Sequence, residues 1–122
     1  MVVSFGVNDT AAVGGAPRVE PGRSVANLHA VLEAATLPVL VVGPPPVADA
    51  EQNRRIAALD AQLGACATRL RAPYVPVYAA LAADPRWMDA VERGDGAHPG
   101  AAGYALLAEL VVPAWQPWIR RA

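Results

Sequence analysis

The chain has 122 residues, 54% of them apolar, and its 10 basic and 11 acidic residues leave a formal charge of −1. That length suits one domain burying roughly two thirds of its unfolded surface, and a near-neutral balance without a basic run excludes the electrostatic footprint of a nucleic-acid binder. The single cysteine, Cys66, excludes an intrachain disulfide and a thiolate metal cluster.

The N-terminal "MVVSFGVNDT" lacks a basic leader, and no apolar run approaches the roughly 18 residues of a membrane span. A cytoplasmic chain is expected, unless a longer N-terminus carries an export signal. From Val2 to Phe5 the first apolar run reads as a strand. It is followed by a loop rich in Gly and Pro, and then by a helix that Ser24 can cap and that carries Val25, Leu28, Val31 and Leu32 on one face. His29 lies within this helix and reads as an ordinary helix residue. A second strand spans Pro38 to Gly43. After a polyproline stretch, Ile56, Leu59, Leu63, Cys66 and Leu70 recur at helical spacing, with Cys66 as a packed core thiol. The third strand spans Tyr74 to Tyr78. A short helix broken by Pro85 follows, and Pro99 opens a last helix that Pro113 should stop near Val112. Trp115 and Trp118 then form an aromatic clasp.

Continuous Val-rich strands alternating with helices indicate a parallel sheet buried on both faces, with reactive residues at the carboxyl ends of its strands. Two segments there can carry chemistry. Asp95 and His98 stand three apart in "RGDGAHPG", so the carboxylate can fold back on one ring nitrogen and leave the other as a base. Equally, Asp95 can form an Asx-turn while His98 caps the helix. In "FGVNDT", Gly6 permits close backbone approach and Asn8 can donate to an oxyanion; the same residues also favour a plain turn. No G-x-G-x-x-G follows any strand, which removes a dinucleotide-binding reading.

Together, "GVND" after a strand and "DGAHPGAAGY" before the last helix resemble two blocks of the SGNH hydrolase family, also called GDSL esterases and lipases. "VLVVGPPPVAD" is similar to that family's fourth strand and the loop after it. The resemblance implies a flavodoxin-like α/β three-layer sandwich, with residues 1–122 as a partial domain running from the third strand to the C-terminal helix. It implies His98 as general base, Asp95 as its orienting carboxylate, Asn8 as oxyanion-hole donor, Gly6 as the turn glycine and Asp9 as a turn-stabilising residue. No cofactor or metal is implied, and the substrate would be a small-molecule acyl ester.

The family's Gly-Asp-Ser nucleophile block is not among these residues, and neither is the block whose glycine N–H joins the oxyanion hole. The only serines are Ser4, within the first strand, and Ser24, at the following helix. The expectation is therefore a serine ester hydrolase whose nucleophile, with the first two strands, belongs to an absent N-terminal segment on the order of 70 residues. The alternative is a non-catalytic binding or interaction module. The resemblance places the family's first strand beside Val2 to Phe5, so without that segment this strand would be an open sheet edge able to pair with another strand.

Overall fold

The computed structural model describes residues 1–122. Its sheet has three parallel strands in the order β1 (Val2–Ser4), β4 (Leu40–Val42), β5 (Tyr74–Val75). Helix α2 (Pro21–Ala34) links β1 to β4, and α3 (Ala50–Arg69) links β4 to β5. The chain ends in α4 (Tyr78–Ala82), α5 (Pro85–Arg93) and α6 (Gly100–Ile119).

Period-two alternation along β4 sends neighbouring side chains into different cores. Leu40 and Val42 join Trp87, Val91, Leu106 and Trp118 on the face covered by α5 and α6. Val39 and Val41 join Leu28, Leu59, Leu63 and Cys66 on the face covered by α2 and α3. The result is helix, sheet, helix, as expected of a parallel sheet. Each Leu, Ile or Val removed from water in this way contributes roughly 1.5–3 kcal/mol.

Helix α3 forms where the apolar spacing indicates. The Asp49 side chain caps it by accepting from the Gln52 N–H at 2.5 Å. Ile56, Leu59, Leu63 and Cys66 are buried along its inner stripe, so Cys66 is a packed free thiol. At its end the Ala72 N–H donates to Ala67 O and the Arg71 N–H to Thr68 O, a Schellman closure with Arg71 in the left-handed region at φ 57°.

Several expectations need correction. β1 is not buried on both faces, because it lies at the sheet edge with Val2 and Ser4 exposed. The supposed long loop after it holds the short helix α1 (Val7–Thr10) and a hairpin of β2 (Ala12–Val13) and β3 (Ala16–Pro17). Ser24 does not cap α2: the helix begins at Pro21 with Glu20 as the cap residue, and Ser24 is fully buried inside it. Val31 of the proposed apolar face is exposed.

The last helix passes through Pro113 and Pro117 to Ile119. An interior proline removes one helical hydrogen bond and costs about 3 kcal/mol. Here Leu106, Leu110, Val111, Ala114 and Trp118 pack on one continuous core, and that packing offsets the loss. Trp118 is buried while Trp115 is exposed, so one tryptophan acts as the expected clasp. Pro85 separates α4 from a second helix instead of merely ending one, since at the first helical position its missing N–H costs nothing. No helix is long and apolar enough to cross a membrane.

Candidate active site

Three chain segments meet at the carboxyl ends of β1 and β4. The first is α1, which leaves β1 directly. Gly6 is buried at the cap position with φ 120°, a conformation L side chains rarely adopt, and a Cβ there would lie 3.2 Å from Leu59 Cδ2. A single-turn helix leaves its carbonyls unsatisfied, and side chains from α3 supply the missing donors. Gln52 Nε2 donates to Val7 O at 2.9 Å, and Arg55 Nε donates to Thr10 O at 2.8 Å. Ser24 Oγ donates to Asp9 Oδ2 at 2.6 Å, which ties α1 to α2. Thus Asp9 serves a joint between elements, while Asn8 remains exposed on the outer side of α1.

The second segment, Pro44–Ala48, is fixed from two sides. Asn53 brackets Val47, accepting from its N–H at 2.8 Å and donating to its carbonyl at 2.7 Å. The buried indole of Trp87 donates to Pro46 O at 3.0 Å. An open cleft of about 390 Å³ lies between α1 and this segment, lined by Ser4, Gly6, Asn8 and Asp9 on one wall and Pro44 and Pro45 on the other.

The third segment, residues 94–99, docks on the far end of the second: the Ala48 N–H donates to Gly96 O at 2.8 Å. Within it Asp95 Oδ1 accepts from the backbone N–H groups of Ala97 and His98 at 2.9 and 2.8 Å, closing an Asx-turn. The other carboxylate oxygen, Oδ2, lies 2.7 Å from His98 Nδ1. The two readings of this pair therefore coexist, one on each oxygen. His98 does not cap α6; the cap position is Pro99. Beside it, Gly103 lets the Pro99 ring lie flat on the helix, since a Cβ at 103 would sit 2.2 Å from Pro99 Cβ.

The backbone N–H of His98, the His98 side chain and the Ala97 N–H, in that order, hold the Asp95 carboxyl well below the usual carboxylate range. An ionised carboxylate can only accept, so Nδ1 of a neutral His98 carries the proton and Nε2 keeps a lone pair. Both side chains are exposed.

The structure brings Asp95 and His98 into contact and places Asn8 across the 44–48 segment from them. The cleft lined by Asn8 does not include the dyad, and Asn8 forms no side-chain hydrogen bond to it. Neither serine bonds to His98: the Ser24 hydroxyl is engaged by Asp9, and Ser4 lines the Asn8 cleft. His29 lies elsewhere, 3.2 Å from Glu33 on the exposed side of α2.

The model of the GDSL-like Lipase/Acylhydrolase family matches residues 1–106. The chain belongs to this family. Family membership suggests ester-hydrolase-type function, and the observed mixed α/β architecture with a parallel sheet is compatible with an SGNH-like fold. No curated protein matches the chain.

The supporting residues Gln52, Asn53, Arg55 and Trp87 were not singled out in the sequence, although one signal was present. Gln52 and Asn53 stand four and three residues before Ile56, on the buried stripe of α3, where helical periodicity calls for apolar side chains. Polar residues on an inward stripe at a helix start mark a place where loop backbone must be satisfied.

Proposed function

We propose that these residues are the acid–base portion of a serine ester hydrolase of the SGNH/GDSL type. The nucleophilic serine comes from a segment outside the 122 residues, which supply the domain from its third strand to its C-terminal helix. The observation that carries this reading is the 2.7 Å contact between His98 Nδ1 and an ionised Asp95. It leaves Nε2 as the only basic ring atom.

In this reading the serine Oγ attacks the carbonyl carbon of a small acyl ester as His98 Nε2 takes its proton. Asp95 holds the ring and stabilises the imidazolium without taking the proton itself. The Asn8 amide donates to the tetrahedral oxyanion. Collapse expels the alcohol, which takes the proton from Nε2. A water then gives a proton to Nε2 as it attacks the acyl carbon, and collapse of the second tetrahedral intermediate breaks the bond to serine Oγ, which takes that proton back from Nε2 as the carboxylic acid leaves. Gly6 and Asp9 hold the turn that presents Asn8.

The test is hydrolysis of a chromogenic acetate ester by the product of the complete reading frame, compared with its His98→Ala variant. A drop of about 10⁶-fold in kcat is expected. Equal rates in both proteins would end the assignment of His98 as the base.

A second reading, a non-catalytic binding or interaction module, is favoured by one observation: neither Ser4 nor Ser24 reaches His98. It predicts no turnover from the complete product and retained ligand binding.

A further inference from the structure

The loop that carries His98 is fastened on either side of it. Gly96 is stitched twice: its N–H donates to Val91 O at 3.0 Å, and its carbonyl accepts from the Ala48 N–H at 2.8 Å. Pro99 is buried on its seat at Gly103. Between these two points the loop folds back on Gly94, whose own N–H donates to Val91 O at 3.3 Å and so ties it to the end of α5. A Cβ on Gly94 would lie 2.9 Å from the backbone carbonyl oxygen of His98. That carbonyl therefore rests against the bare α-carbon, a close backbone approach of the kind glycine permits.

We propose that Gly94 is a positioning residue whose lack of a side chain sets where the His98 imidazole stands. Ordinary contact with a Cβ begins near 3.4 Å, so a methyl group at 94 demands about 0.5 Å of movement. Gly94 has little room to retreat, because the added carbon would already touch Ala90 O at 3.6 Å and Val91 O at 3.7 Å. Gly96 before and Pro99 after are both held, so the movement falls on the His98 peptide. The same peptide N–H donates to Asp95 Oδ1 at 2.8 Å, so displacing it loosens the grip of the loop on the carboxylate that orients the ring. The effect on catalysis rests on the hydrolase reading above; the effect on Asp95 does not.

The test has two arms. In the 122-residue chain, a carbon-detected NMR titration of Asp95 reports on the His98 N–H, the foremost of the contacts that hold this carboxylate ionised. Gly94→Ala should move that titration up toward the ordinary carboxylate range, with an unchanged circular dichroism spectrum. Gly22→Ala in α2, where nothing lies within 4 Å of the added carbon, should leave it in place. In the product of the complete reading frame, Gly94→Ala should lower kcat about 10²-fold at unchanged KM, as a displacement that small is able to do. If His98→Ala hydrolyses the ester as fast as the wild type, the hydrolase reading fails and the NMR arm still decides this inference. If His98→Ala is inactive while Gly94→Ala keeps the wild-type kcat, or if the Asp95 titration ignores Gly94→Ala, the inference is overturned. Should Gly94→Ala not fold, it is read in a Pro99→Ala background, which frees the residue after His98 from its seat. Failure to fold there as well also overturns it, because the contact would then hold up the fold and not His98 in particular.

Discussion

At His98 the imidazole Nδ1 and one oxygen of the Asp95 carboxylate lie 2.7 Å apart, and that contact is one of those that hold the carboxylate ionised. The depressed Asp95 value means that the loop's carboxylate contacts are fully present above the ordinary carboxylate range and are lost only as pH falls toward the lowered value. A carbon-detected NMR titration should find Asp95 ionised well below where a free aspartate protonates. In His98→Ala the value should move up but stay below the ordinary range, because the Ala97 and residue-98 backbone N–H groups still donate to it. An unchanged value in the variant would show that the ring contributes nothing to holding the carboxylate.

Among the elements, α3 does most to place the site. Its first turns satisfy the backbone of α1 through Gln52 and Arg55 and that of the 44–48 segment through Asn53. Its last turn closes with Arg71 in a conformation that glycine adopts without strain. Arg71→Gly should therefore stabilise the protein by about 1 kcal/mol, read from denaturant unfolding. A loss of stability would mean that contacts of the Arg71 side chain outweigh its backbone strain.

For the molecule as a whole, the sheet and α3 are joined by Tyr74 on β5, whose hydroxyl donates to Asp60 Oδ1 at 2.5 Å. Burial first, and then the hydrogen bond and charge of Asp60, push the Tyr74 phenol far above its ordinary value. A raised folded-state value gives stability that is complete below the ordinary phenol pKa of about 10 and is lost as pH rises through the folded value. Asp60→Asn should lower the pH at which the Tyr74 ring titrates by NMR, and it should make the alkaline loss of stability shallower. A Tyr74 titration that ignores the substitution would remove Asp60 from this account.

Local pattern was enough to determine much of this protein. The apolar stripe of α3 and a central strand within Pro38 to Gly43 follow from spacing, and the contact of Asp95 with His98 is one of the two readings that spacing left open, because each depends on residues a few positions apart. The "GVND" and "DGAHPG" segments likewise carried the family resemblance that the match over residues 1–106 bears out. Only the tertiary structure decided the rest. Pro113 fails to end α6 because a core built from distant strands and helices holds the helix beyond it. Ser24 is a buried tie to Asp9 and not a cap, since its partner comes from 15 residues away across a helix junction. The brackets on residues 44–48 reach back from Asn53 and across from Trp87. Spacing reports which side chains share a face, whereas hydrogen bonds between separate segments depend on how those faces pack.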